Sequence, residues 1–305
     1  MTRDHAYARC LRIAAAHYEN FPVASWLVPS RMRPHVAAVY AFARAADDFA
    51  DEGRVPEAQR LGWLGQWRHL REGGMDAAVR AGAVGHVAAD DVRATFVATA
   101  DTIERCGLSP QLFDDLLSAF AQDVTMRRYA TWDAVLDYCR RSANPVGRLV
   151  LGIAGVGDEA VARQSDAVCT ALQLANFWQD LGDDWRQRDR LYVPEDLLAR
   201  YGATTGPLDD GVPDMAWRAL TDDLGSRTAD LFAAGRPVCD AVTGRLRYEL
   251  RATWLGGTTV LRRTLHVRQR SLHERPTLGT LDVLRILTGA LAWRPSPHPS
   301  DSASM

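Results

Sequence analysis

Two short acidic segments hold the side chains with the most chemistry in them. The first, Tyr40-Ala-Phe-Ala-Arg44-Ala-Ala-Asp47-Asp48-Phe-Ala-Asp51-Glu52, ends a mostly apolar stretch with four carboxylates. On a helix Asp47 and Asp51 stack on one face, with Arg44 about a turn earlier. Like charges at that spacing repel, and the dipole at a helix C-terminus disfavours anions as well. Two local rules broken together mark a candidate site. The second segment, Gln173-Leu-Ala-Asn176-Phe-Trp-Gln179-Asp180-Leu-Gly-Asp183-Asp184, places Gln173, Asn176, Asp180 and Asp184 along one helical stripe. That period is normally kept for apolar core residues, and Leu172, Leu174, Phe177 and Trp178 flank it. A buried stripe of this kind needs a partner for every carboxylate.

Facing DxxxD helices supply oxygen ligands suited to hard, octahedral Mg²⁺ rather than zinc. Mg²⁺ held by few carboxylates and several waters typically carries substrate phosphates, and arginines grip the same oxygens in pairs. Aromatic faces beside such a site stabilise a carbocation. Together these parts let a diphosphate leave as its developing charge is neutralised. No general base or nucleophilic triad is evident, which agrees with ionisation chemistry.

Composition narrows the alternatives. All 36 basic residues among the 305 are arginine, so lysine nucleophiles, Schiff-base lysines and phosphate-loop lysines are excluded. A net charge of −2 gives no field for polyanions, and nucleic acid is not an expected partner. Cys10, Cys106, Cys139, Cys169 and Cys239 form no CxxC pair and fit a reducing compartment. The N-terminal residues show no signal peptide, and the longest uncharged apolar run, Leu149 to Gly157, is too short to span a membrane. The expectation is a soluble, cytoplasmic protein.

Helical periodicity dominates, with no convincing strand, so the expected fold is all-α: one domain over residues 1–293, a helical bundle with a central aspartate-lined cavity, and a disordered tail over 294–305. Helices are expected over Arg31–Glu52 with Gly53 as C-cap, from a Ser109-Pro110 start to Met126, and from Thr131 as N-cap to Ala154 with a kink at Pro145. Further helices are expected over Glu159–Arg188, Asp214–Ala234, Pro237 to about Arg270, and Thr280–Ala292, with a loop over 202–213.

At these residues the chain resembles the squalene/phytoene synthase family of all-α, head-to-head prenyl synthases, from His17 to about Arg275. His17-Tyr18-Glu19-Asn20-Phe21 is similar to that family's N-terminal HSxSF-like segment. Tyr40, Arg44, Asp47, Asp48 and Asp51 match its first aspartate motif, Tyr138-Cys139 and Gly147 its central YCxxVAGxVG, and Gln173, Asn176, Asp180 and Asp184 its second aspartate motif. Arg190-Leu191-Tyr192-Val193-Pro194 and Leu272-His273-Glu274-Arg275 complete the match.

The resemblance implies roles. Asp47, Asp48, Asp51, Asn176, Asp180 and Asp184 would hold roughly two or three Mg²⁺ ions. His17, Asn20, Phe21, Arg44, Gln173, Asn176 and Arg275 would bind the substrate and its diphosphate. Asp47, Asp51, Asp180, Asp184, Tyr40, Arg44 and Tyr138 would serve catalysis. Departures from the family pattern are Asn144-Pro145 in the central motif, Gln179 where coupling synthases commonly have arginine, and Thr258 where some relatives have tyrosine. With Glu19 to Ser25 they resemble the hydroxysqualene-forming branch, which ionises presqualene diphosphate, rearranges the cation and captures it with water.

No NADPH is then required, and no dinucleotide-binding glycine signature is present. An amide such as Asn144 or Gln179 can hold the quenching water without being alkylated; equally, Gln179 is a lost phosphate contact and Asn144 a kink residue. The alternatives are condensation of two farnesyl diphosphates and a non-catalytic scaffold. Peripheral contact with the inner face of the membrane is expected from product hydrophobicity, and association with other enzymes of the pathway from the same need. His35, His69, His86, His266 and His298 have no partner spacing and read as structural or exposed.

Overall fold

The computed structural model describes residues 1–16, 27–51 and 54–294. Among them the regular structure is helical, with no strand and two isolated bridges, Val84 to Val87 and Arg128 to Leu191. The all-α class expected from the periodicity is the one observed. Internal contacts divide the chain into two compact units, Met1–Met126 with Arg141–Gly157, and Arg127–Arg140 with Asp158–Met305.

The first unit holds α1 (Arg3–Ala16), α2 (Arg33–Asp51), α3 (Glu57–Glu72), α4 (Gly74–Arg80), α5 (Ala89–Cys106) and α6 (Gln111–Thr125). Past the second unit's stretch, in which α7 (Trp132–Ser142) begins, it continues with α8 (Asn144–Ala154). Its centre is α2, whose Val36, Val39, Phe42, Ala46 and Phe49 are buried at helical spacing. Phe42 meets Phe113 of α6, Phe96 of α5 and Trp67 of α3 at ring-centroid distances of 5.2, 5.8 and 6.1 Å. Trp67 also donates its indole N–H to the Phe42 carbonyl at 3.2 Å, so the ring is fully buried with no polar atom left over. Buried Arg60 donates to the Ala50 carbonyl, placing a cation at the acidic C-terminal end of α2.

In the second unit α9 (Glu159–Arg188) is the longest element, with Asp158 as N-cap accepting from the Ala160 N–H and Asp189 closing it in a left-handed conformation. Around it lie α10 (Glu195–Tyr201), α11 (Gly206–Asp210), α12 (Met215–Gly235), α13 (Val238–Ala241), α14 (Gly244–Arg268) and α15 (Thr280–Leu291). Trp178 of α9 donates to Thr228 of α12 at 2.9 Å, fixing those two helices in register.

Several boundaries differ from expectation. Thr131 does cap its helix, by accepting from the Ala134 N–H, but no single kinked helix follows. α7 ends at Ser142, and Pro145 sits in the first turn of α8, where no backbone N–H is needed. The segment from Pro237 is likewise two helices, because Val242 and Thr243 are extended. Pro110 rather than Ser109 is the N-cap of α6, and the 202–213 loop contains the short α11. α1, α3, α4, α5 and α10 lie outside the segments the periodicity picked out. Gly53 and the residues after Arg294 lie outside the described residues.

Candidate active site

In the first unit the site is built at the end of α2. Apolar burial of its Phe42–Phe49 face turns Tyr40, Arg44, Asp47 and Asp48 to partly accessible positions, and Asp51 is exposed. Arg44 grips Asp48 with two of its nitrogens, at 2.7 and 3.2 Å, and approaches Asp47 with the third at 3.7 Å. Burial, then the charge of Asp51, with smaller pushes from Asp123 and Asp48 against the pull of Arg44, raise the Asp47 carboxyl to about 7. The Asp47 side chain still keeps 43% of its surface open, so the group is walled by protein yet reachable by a ligand. Burial also raises the Tyr40 hydroxyl, which Arg44 lowers and Asp48 and Asp47 raise further.

Asp123 is a residue the sequence reading missed. It is buried on α6, on the face that also buries Phe113, Leu116, Phe120 and Val124. A carboxylate inside an apolar stripe is the signal that would have found it. The cluster is thus Asp47, Asp48, Asp51 and Asp123, with Arg44 set against Asp47 and Asp48.

In the second unit the acidic stripe on α9 is not buried as a whole. Asn176 is exposed, Gln173 and Asp180 are half-buried, and only Asp184 is buried. The stripe lies open because the apolar positions beside it, Leu174, Phe177, Trp178 and Leu181, take the interior. Its carboxylates have arginines at hand. Arg275 forms a two-nitrogen pair with Asp180, Arg188 lies 3.7 Å from Asp184, and Arg186 lies 3.1 Å from Asp183. The hydrogen bond to Asp180 raises the Arg275 guanidinium against the effect of burial. Two residues singled out from sequence at a separation of 95 positions therefore meet.

What brings Arg275 there is Arg268, which sequence reasoning also missed. Buried at the end of α14, it donates to the Trp178 and Gln179 carbonyls of α9 at 2.9 and 2.6 Å. Its third nitrogen donates to the Ser271 and Glu274 carbonyls at 2.9 and 2.8 Å. Burial lowers this guanidinium to about 10, against the raising effect of Asp180, Glu274 and Asp183, so it stays charged at neutral pH. The 271–276 segment gains more anchors. Leu272 donates to Gly211, the His273 ring meets the Leu208 carbonyl at 2.7 Å, and Gln179 donates its amide to the Pro276 carbonyl at 2.6 Å. A Cβ at Gly182 would lie 2.5 Å from the Leu272 oxygen, so the close approach of loop to helix requires glycine there.

Tyr138 of α7 is buried in an aromatic group of this unit. Phe177 stacks on Tyr192 with centroids 3.6 Å apart, and Tyr138 lies within about 6 Å of Phe177, Tyr192 and Tyr129. Arg190 donates to the Tyr192 hydroxyl at 3.1 Å. Asn144 is the first residue of α8 and belongs to the first unit, whereas Gln179 is tied to Pro276 in the second. His17, Asn20 and Phe21 lie outside the described residues.

Among the described residues no three His, Cys, Asp or Glu groups converge into a metal cage. The donors nevertheless suit a hard cation. They are all carboxylate oxygens, and burial followed by the charge of Asp51 raises Asp47, so a bound cation would favour its ionised form. A cation bound through few carboxylates, with water and phosphate oxygens completing its shell, needs no protein cage.

An all-helical chain with two arginine-attended aspartate clusters on long helices has the make-up of a helical prenyl synthase. The chain belongs to the squalene/phytoene synthase family, whose model matches residues 14–282. It is 34% identical over 283 residues to hydroxysqualene synthase from Sinorhizobium fredii, covering 92% of this chain and 91% of that one. It is 40% identical over 234 residues to hydroxysqualene synthase from Zymomonas mobilis, covering 76% and 73%. The structure resembles that of squalene synthase HpnC from Alicyclobacillus acidocaldarius with a TM-score of 0.74 at 35% identity, over 88% of this chain and 96% of that one. The chain is an enzyme of the head-to-head prenyl synthase type.

Proposed function

We propose that this enzyme converts presqualene diphosphate to hydroxysqualene, and that residues 1–293 act in this as one domain. The observation that carries the reading is 34–40% identity to two hydroxysqualene synthases over most of the chain. Asp47, Asp48, Asp51, Asn176, Asp180 and Asp184 would hold Mg²⁺, which when bound supplies positive charge to the leaving diphosphate. Arg44 and Arg275 already sit on carboxylates of the two motifs and turn their remaining N–H donors to diphosphate oxygens. Gln173 and Asn176 offer neutral donors to the same oxygens, and His17, Asn20 and Phe21 are assigned to substrate binding by the family match alone. The C–O bond breaks with both electrons leaving on diphosphate. The cyclopropylcarbinyl cation rearranges, and the aromatic rings around Tyr138 offer their faces to it. Water adds to the final cation and loses one proton, giving the alcohol without a reductant.

Asn144 or Gln179 would place that water. One N–H of the Gln179 amide is engaged by the Pro276 carbonyl, which leaves its second N–H and its carbonyl oxygen to hold water. Normal alcohol yield from both Asn144→Gly and Gln179→Arg would end this assignment. A second reading, condensation of two farnesyl diphosphates, is favoured by the likeness to an HpnC named squalene synthase. Incubation of purified protein and Mg²⁺ with each diphosphate, without reductant, and mass spectrometry of the products separates the two. Alcohol from presqualene diphosphate supports the first, and turnover of farnesyl diphosphate alone supports the second. A protein whose melting temperature ignores Mg²⁺ plus diphosphate would be a scaffold. The place of action is proposed as the cytoplasm at the inner face of the membrane, near enzymes of the same pathway. Among the described residues no helix is long and apolar enough to cross a membrane.

A further inference from the structure

α15 buries Asp282 and Ala290 and is packed on α14, where Gly289 lies close under Leu255. Its other side is uncovered. Val283, Leu284, Leu287 and Leu291 fall within about 100° of one another around the helix, and Leu284 and Leu291 are 58% and 72% exposed. Leu281, at 70% exposure, extends the patch by a turn. A contiguous leucine face of this kind marks an interaction surface rather than scattered surface apolar residues.

The ground beside it is basic. A cavity of about 650 Å³ is lined by Arg262, Arg263, His266, Arg270, Arg275 and Arg285, against Glu274 and Asp282. Arg263 is paired with Asp282 and Arg275 with Asp180. Among the described residues Arg262, Arg270 and Arg285 have no carboxylate partner, and all three are exposed. Arg285 belongs to α15 itself, so the leucine face and the arginine group are continuous.

We propose that α15 and these arginines dock the protein on an anionic phospholipid surface. The leucines enter the acyl boundary, and Arg262, Arg270 and Arg285 take headgroup phosphates. Charge decides this occupant. A second copy joined face to face would set the same unpaired arginines against each other, whereas phosphates neutralise them.

The full-length protein is tested by flotation with phosphatidylcholine vesicles and with vesicles about one third phosphatidylglycerol. Binding to the anionic vesicles is expected, about tenfold weaker on phosphatidylcholine or at high salt. L284D/L287D at unchanged melting temperature should weaken it by about tenfold or more. R262S/R270S/R285S should weaken it and flatten its salt dependence. Absence of binding, or equal binding by the wild type and both variants, overturns the proposal. So does a wild-type dimer that L284D dissociates and that ignores vesicles, since a second copy would then cover the face. Flotation needs no turnover, so its outcome is independent of the reaction assigned above.

Discussion

At the end of α2, Arg44 pairs with Asp48 and approaches Asp47, and burial with the charges of Asp51, Asp123 and Asp48 drives Asp47 up to about 7. Along α9, Asp180, Asp183 and Asp184 each have an arginine within reach, and one of these, Arg275, is delivered by a loop that Arg268 holds in place. Each region carries two aspartates four residues apart on one helix, Asp47 with Asp51 and Asp180 with Asp184, and the surroundings of the two pairs differ. A carboxyl whose ionised form is disfavoured by burial and by neighbouring charges gains most from a cation that arrives with the ligand. A cluster that carries its own guanidiniums is already neutralised, and its ligand must share or displace them. The ionised form of Asp47 is thus disfavoured in the fold, whereas Asp180 is paired with an arginine that its loop places.

Opposite stability signs for equivalent substitutions would sharpen that contrast. Asp47→Asn should lower kcat by about 10²–10³-fold while raising the metal-free melting temperature, because it removes a crowded, walled-in charge. Asp180→Asn should lower activity similarly and lower the melting temperature, because Arg275 loses its partner. Matching signs in thermal melts would break the comparison. Next in size, Arg268→Met leaves four carbonyls without their donor and should cost about 3–5 kcal/mol, read from denaturant unfolding. Activity should fall with it, since the Arg275 loop is freed. Gly182→Ala should cost about 1–3 kcal/mol by forcing Leu272 off α9, with a rise in KM for the diphosphate substrate.

The smallest effect concerns a network outside both clusters. Tyr7, His35, Asp101 and Thr102 are joined by hydrogen bonds of 2.8–3.0 Å within the first unit. Burial lowers His35 below its ordinary value, against the raising effect of Asp101 and with help from Arg105. A histidine depressed in the fold favours the native state above its unfolded value and loses that contribution as pH falls. Melting temperature should therefore drop from about pH 7 to about pH 5, and His35→Gln should flatten that part of the drop.

The extent of α9, about Glu159 to Arg188, was readable from its long periodicity, and Asp158 caps it. The sequence misplaced the break between α7 and α8, since a proline in a first turn and a proline in a kink look alike in a string. Asp123 and Arg268 were invisible to motif reasoning for a different reason. Each is a lone charge on a buried helical face, legible only when apolar stripes are checked for interruptions. Arg275 was assigned to diphosphate from the resemblance, but its contact with Asp180 is set by the fold of the 268–276 segment rather than by any local pattern.

The central claim is that the two aspartate clusters bind divalent ions together with a diphosphate group. Its most direct test is an electron paramagnetic resonance titration of Mn²⁺, standing in for Mg²⁺, with inorganic pyrophosphate present and absent. The account predicts roughly two or three protein-bound ions that depend on pyrophosphate, with fewer in both Asp47→Asn and Asp180→Asn. No pyrophosphate-dependent binding, or full binding by both variants, would contradict it.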